Sequence, residues 1–374
     1  MQTKPSSQFR ILSEKPTRMR EANELDWKRG KVKPFVSNIR AKLRPRPMPM
    51  NIVQDMDGLP SVVLTEPNGS SVKVVLYGAQ VVSWKNEQKE ELLFRSSKAN
   101  WKQPKAIRGG ISVCFPQFGN VGSLEQQGIS RNRLWTLDMD PSPLPPSDNH
   151  SSLDLILKST REDLKIWPRS FELRLRISLS CGKLVLISRV RNTDNKPFSF
   201  TFGLCNYLSV SDIRFVFFFF LIFNIEASIF LISEVCSKFF SEVRIEGLET
   251  LDFFDNLMNR TRFTEQADAI TFDGQMDRVY LRTPPKIAII DHEKKKTFVL
   301  KKNGMPDAVV WNPWERKAKE EDYKSMICVD SAVIETPVVL KPREEWKGYQ
   351  ELSTVSSSYC SGQLDPRKVV YGFH

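Results

Sequence analysis

Between Phe171 and Ser180 the chain reads FELRLRISLS, so that Phe171, Leu173, Leu175, Ile177 and Leu179 alternate with Glu172, Arg174, Arg176, Ser178 and Ser180. A period of two places all five apolar side chains on one face of a strand. The break at Cys181-Gly182-Lys183, followed by LVLISRVRN (184–192), predicts an antiparallel partner for that strand. SVVLTE (61–66) and SVKVVLYG (71–78), joined by the Asn-Gly-containing loop PNGS (67–70), predict a second hairpin. Further along, PKIAIID (285–291), KTFVLKK (296–302), DAVVWN (307–312) and TPVVLKP (336–342) continue the pattern. No segment outside 214–240 carries a long helical period. Many short strands with turns between them predict an all-β protein, an antiparallel sandwich or barrel in which one face of each strand is buried.

One stretch interrupts this pattern. Residues 214–240, RFVFFFFLIFNIEASIFLISEVCSKFF, hold 9 of the 24 phenylalanines. Phe215 to Ser233 reaches the length of about 18 apolar residues that spans a bilayer. Asn224 and Glu226 lie near its middle, however, and a central acid costs about 2.5–3.5 kcal/mol on insertion. A span would also pull adjacent strands apart, so the expectation is a Phe-rich insertion in a loop, resembling translated non-coding sequence, with no membrane contact. The first 52 residues lack hydrophobic periodicity and hold a Pro- and Arg-containing run, which predicts a disordered arm ahead of one folded domain from 53 to 374. Met50 stands as an alternative start.

Charge separates the same two parts. Of the net +11, residues 1–50 supply 13 Lys or Arg against 4 Asp or Glu, or +9, which leaves 42 against 40, or +2, for the rest. A folded part so nearly neutral gives little reason to expect a basic face for nucleic acid. The arm is basic enough for a transit peptide, yet Glu14, Glu21, Glu24 and Asp26 sit in it, and such peptides are poor in acid. A cytoplasmic location is therefore expected, with a plastid as the alternative. The six cysteines, at 114, 181, 205, 236, 328 and 360, form no CxxC pair and no Cys/His ligand spacing, which indicates a reducing compartment and no structural metal. Any mechanism that needs a histidine has only His150, His292 and His374 to draw on.

Several ordered segments together resemble the aldose 1-epimerase (galactose mutarotase-like) superfamily, in its plant and fungal glucose-6-phosphate 1-epimerase branch. They are IRGGISVCFPQFG (107–119), LEQQGISRNRLW (124–135), DLKIWPRSFELRLRISL (163–179), FTFGLCNYLSVSDI (200–213), ITFDGQMDRVY (270–280), DAVVWNPW (307–314) and SSSYCSGQLDPRKV (356–369). Removing 214–240 joins VSDI to SEVRIEGLE, which is how members of that family read. The resemblance implies an antiparallel β-supersandwich and a cofactor-free, metal-free interconversion of the α and β anomers of a hexose 6-phosphate, glucose 6-phosphate above all. In that chemistry a base takes the proton of the anomeric hydroxyl while an acid protonates the ring oxygen.

The family's base is a Glu in a VE motif, its acid a His in LHxYF, and a second His stands in QHGxxRN. This sequence departs at all three places. Asp330 in ICVDSA occupies the place of the base, Cys205 in GLCNYL that of the acid, and Gln127 in QQGISRN that of the second histidine. Asp330 keeps a carboxylate on a stem one methylene shorter. Gln127 keeps a hydrogen-bond donor for a sugar hydroxyl but no transferable proton. Cys205, with a thiol reference pKa of about 8.5, is a feeble acid beside an imidazolium. The matching positions also imply Arg108 and Arg131 as phosphate contacts, through forked donors suited to a phosphate's oxygens, and Asp277 as an acceptor for sugar hydroxyls. Trp311 and Trp314 are expected as core or pocket-wall aromatics. The functional expectation is thus a monomeric mutarotase with weakened acid catalysis. A catalytically inactive sugar-phosphate-binding protein and a membrane-tethered scaffold on the same fold are the alternatives.

Overall fold

The computed structural model describes residues 52–54, 58–96, 99, 106–141, 151–214, 243–314 and 321–356. The N-terminal arm up to Asn51, the Phe-rich insertion beyond Arg214, the C-terminal motif beyond Ser356, and His150, His374, Cys236 and Cys360 lie outside the described residues.

Two antiparallel sheets account for the fold. The larger has eleven strands, in spatial order β1 (Ile52–Gln54), β2 (Pro60–Thr65), β3 (Ser71–Val75), β4 (Gln80–Lys85), β5 (Ile111–Cys114), β10 (Phe198–Ser209), β18 (Met326–Leu340), β17 (Asp307–Asn312), β14 (Met276–Tyr280), β12 (Asp252–Asp255) and β13 (Thr261–Thr264). The other has eight, in the order β11 (Val243–Glu246), β15 (Lys286–Asp291), β16 (Lys296–Asn303), β19 (Glu345–Ser356), β9 (Lys183–Asn192), β8 (Phe171–Ser180), β7 (Ser151–Lys158) and β6 (Thr136–Leu137).

The hairpins expected from the hydrophobic pattern are present. β8 occupies Phe171–Ser180 and pairs with β9 from Phe171↔Asn192 to Ser180↔Lys183. Its two-residue turn places both Cys181 (φ 50) and Gly182 (φ 72) in the left-handed region, the backbone that matches the twist of the flanking strands. Lys183 is already part of β9. Phe171, Leu173, Leu175, Ile177 and Leu179 are all buried. The polar face of β8 is not uniformly wet, since Arg176 is buried against Asp154 of β7, Nε to Oδ1 at 2.6 Å. In the other hairpin β2 and β3 pair from Ser61↔Val75 to Thr65↔Ser71. The run SVKVVLYG leaves the strand after Val75 because Gly78 (φ 74) and Ala79 (φ 48) turn the chain into β4.

The core lies between the sheets. Phe202 of β10 packs on Trp346 of β19 with ring centroids 5.0 Å apart, and Phe115 meets Phe171 of β8 at 4.9 Å. Burying each such large apolar side chain contributes about 1.5–3 kcal/mol. A polar bridge also crosses this core. Asn206 of β10 and Gln350 of β19 exchange amide hydrogen bonds of 3.0 and 2.7 Å, which fixes how the sheets slide on each other. The one α-helix among the described residues is short, α1 (Arg161–Ile166), with a capping box between Thr160 and Asp163.

Candidate active site

Alternation along the central strands sends every second residue away from the core. On β10 Leu204 and Leu208 face the opposite sheet, and Cys205 and Tyr207 face outward. On β18 Ile327 and Val329 face inward, and Cys328 and Asp330 outward. The pairings Leu204↔Ser331 and Tyr207↔Cys328 set Cys205 directly opposite Asp330. Asp277 of β14 stands across from Trp311 of β17, which in turn stands across from Cys328.

This outward face is the floor of a cleft of ≈ 1250 Å³ that all six predicted site residues line: Arg108, Gln127, Arg131, Cys205, Asp277 and Asp330. Three of them come from the segments flanking β5. Arg108 is exposed and precedes the Gly109-Gly110 pair. A Cβ on Gly110 would lie 2.0 Å from the Val81 carbonyl oxygen, and one on Gly109 2.6 Å from that of Phe94, so only glycines bring Arg108 this close to β4. The loop carrying Gln127 is pinned by that residue itself. Its Oε1 accepts from the Gly119 backbone N–H at 2.9 Å, which leaves the Nε2 amide as the group it can turn to a ligand. Arg131 donates from Nη2 to the Gln126 carbonyl at 2.9 Å, while its buried Nε has no hydrogen-bond partner among the described residues. Next to it, Arg133 is anchored on Asp163 at 2.7 Å, which holds α1 against the same rim.

Asp330 is 4% exposed, and its Oδ1 accepts from the Asn206 backbone N–H at 2.9 Å. Burial pushes its carboxyl up to about 7, against the pull of the Asn206 N–H and the Cys205 thiol and with a push from the Asp277 charge. The Cys205 thiol is held well above its usual range, first by its hydrogen bond with Cys114 and then by burial and the Asp330 charge. Burial likewise raises Tyr207 and Cys328. The floor therefore carries one carboxyl poised near neutrality among groups that keep their protons. Asp277 is half-buried, and its Oδ1 accepts from Asn256 Nδ2 at 2.7 Å.

Tyr207 and Trp311, edge to face at 6.1 Å, form an aromatic wall. Trp311 is the pocket-wall aromatic expected from the sequence, whereas Trp314 packs against the main core. Tyr207, Cys328, Asn256 and Arg260 also line the cleft and were not among the predicted residues. Period two was enough to find two of them, because Tyr207 follows Cys205 by two and Cys328 precedes Asp330 by two. Asn256 and Arg260 come from the β12–β13 connection, which local sequence does not link to the other strands.

The model of the aldose 1-epimerase family matches residues 60–217 and 228–353, with the break falling inside the Phe-rich stretch. A protein of Cenchrus ciliaris provisionally named glucose-6-phosphate 1-epimerase is 53% identical over 331 residues, 86% of this chain and 92% of that protein. A protein of the same provisional name from Salmonella typhimurium is 26% identical over 293 residues, 76% of this chain and 86% of that protein. Among solved structures, a provisionally named mutarotase from Salmonella typhimurium superposes with a TM-score of 0.65 at 22% identity, over 82% of this chain and 97% of its own, a likeness that bears on fold alone. The family match spans both sheets and every cleft-lining strand, and with the relative at 53% identity it shows that this chain belongs to the aldose 1-epimerase family.

Proposed function

We propose that this protein interconverts the α and β anomers of a hexose 6-phosphate, with glucose 6-phosphate as the substrate. The observation that carries this reading is Asp330, a buried carboxyl at the floor of the cleft whose affinity for a proton is raised to about 7. A group that titrates near the working pH takes and returns a proton with little penalty in either direction. Asp330 removes the proton of the anomeric hydroxyl as the bond from C1 to the ring oxygen breaks. That oxygen takes up a proton, and rotation about C1–C2 followed by closure on the other face yields the second anomer. The donor for the ring oxygen is the Cys205 thiol, across the strand pair from Asp330. The phosphate falls to Arg131, whose Nε has no partner among the described residues, together with the exposed Arg108. Asp277 and the Gln127 amide serve the sugar hydroxyls.

The test is the rate of α-to-β exchange of glucose 6-phosphate, followed by NMR exchange or polarimetry with buffer catalysis subtracted. Catalysis that disappears on Asp330→Asn supports the proposal, and an unaltered protein no faster than buffer, or a variant as fast as the unaltered protein, overturns it. A second reading, a sugar-phosphate-binding protein without turnover, is favoured by the firmly protonated Cys205 and by the tethering of Gln127 to Gly119. Saturable glucose 6-phosphate binding without exchange is its expected signature.

A further inference from the structure

Cys114 and Cys205 sit on adjacent strands of the cleft floor. The register Gly203↔Cys114 and Cys205↔Ser112 makes them diagonal neighbours on one face. Gly203, directly opposite Cys114, has no side chain to separate them. Their sulfurs are 3.2 Å apart, and a disulfide bond of about 2.03–2.05 Å requires only a short further approach. Cys205 lines the cleft, and Cys114 is fully buried behind it. Cys328, also buried, shares the outward face but stands across from Trp311 and Tyr207 instead, and Cys181 lies at the exposed β8–β9 turn.

We propose that Cys114 and Cys205 are a dithiol that a peroxide oxidises to a disulfide, which makes the floor of the cleft a site of reversible oxidative modification. The step uses groups already in place. Asp330, which accepts a hydrogen bond from the Cys205 thiol, takes its proton. The Cys205 thiolate attacks one oxygen of hydrogen peroxide, the O–O bond breaks, and the departing hydroxide regains a proton as water. Cys205 is then a sulfenic acid. The Cys114 sulfur, giving up its proton, attacks the Cys205 sulfur and expels a second water. Two thiols and one peroxide become one disulfide and two waters, and a dithiol reductant restores both thiols. Because its hydrogen bond with Cys114, burial and the Asp330 charge hold the Cys205 thiol well above its usual range, the reaction is slow at neutral pH and accelerates as pH rises and the Cys205 thiolate fraction grows.

The disulfide takes from Asp330 its thiol neighbour and draws β5 toward β10, with Arg108 and Arg131 carried on the segments flanking β5. Displacing a catalytic group by about 1 Å costs on the order of 100-fold, so the oxidised protein is expected to exchange anomers about 100-fold more slowly. The proposal does not depend on turnover, because the bond itself is read directly.

The experiment treats the full chain with hydrogen peroxide, alkylates the remaining thiols and maps the peptides with and without dithiothreitol. The expected result is a peptide pair joined through Cys114 and Cys205 that the reductant separates, formed faster at pH 9 than at pH 7. Anomer exchange, or glucose 6-phosphate affinity if there is no exchange, falls with its formation and recovers on reduction. Cys114→Ser is expected to lose the reductant-reversible response, read against that variant's own rate before peroxide treatment. Cross-linking of Cys205 to any other cysteine, a sulfinic acid on Cys205 without a joined peptide, or alkylation of both thiols after peroxide treatment would each overturn the proposal.

Discussion

The two faces of β10 and β18 are made from the same backbone and behave as two different materials. The inward face, with Phe202, Leu204, Leu208, Ile327 and Val329, is apolar apart from the paired Asn206 and the buried Ser331, and it meets the second sheet in the core. The outward face, one residue out of phase, carries Cys205, Tyr207, Cys328 and Asp330 at the floor of the cleft. The lesson is that a strand separates stability from chemistry by parity alone. The inward face supplies the rigidity that holds a carboxyl in place, and the outward face tolerates a buried acid because proton binding relieves its charge.

The largest effect separating the faces is expected at Asp330. Asp330→Asn should lower anomer exchange by about 100- to 10,000-fold, measured by NMR exchange. The same change should raise stability. An unfolded aspartate loses its proton near about 3.9, whereas folded Asp330 keeps it up to about 7. Between those values the folded state binds the extra proton, so stability falls as pH rises across that window. Removing the ionisable group should therefore give back about 4 kcal/mol at pH 8 and little at pH 4, read from urea unfolding. If Asp330→Asn unfolds the protein at both pH values, the two faces are not separable.

The inward counterpart is Leu204→Ala, next to Cys205 but pointing the other way. It should cost about 2–5 kcal/mol of stability through the cavity it leaves. Glucose 6-phosphate affinity of the folded fraction should stay unchanged by calorimetry. Next in size is Cys205→His, which places an imidazole on the outward face. A gain in exchange rate of about 100-fold, clearest near pH 6–7, is expected if the thiol is the limiting acid. A rate no higher than that of the unaltered protein would show that the proton comes from another group.

Smaller still is Arg131→Ala, which should weaken glucose 6-phosphate binding about tenfold or more and leave glucose binding untouched, because only the phosphate calls on the forked donor. Equal losses for both ligands would remove Arg131 from the phosphate site. Smallest is the pH profile of the unaltered protein. Exchange should rise with pH and level off above about 7, with the rate at pH 6 about tenfold below the plateau, since only the deprotonated Asp330 is the base.

Local pattern alone determined most of the strands. FELRLRISLS names both its faces and its ends because side-chain direction alternates with a period set by the backbone, and a turn residue such as Gly182 punctuates it. The all-β class follows from the same regularity. The resemblance carried by the motifs picked out Arg108, Gln127, Arg131, Cys205, Asp277 and Asp330, and strand parity extends that set to Tyr207 and Cys328. Tertiary structure alone decided what these residues meet. That Asp330 lies across from Cys205, that its Oδ1 takes the Asn206 N–H, and that Cys114 stands 3.2 Å from Cys205 depend on the pairing of strands more than eighty residues apart. The burial that lifts Asp330 to about 7 has the same origin, since a carboxyl's affinity for its proton depends on the water and charges around it. The pairing of distant strands fixes that surrounding, and the order of residues along a strand does not contain it.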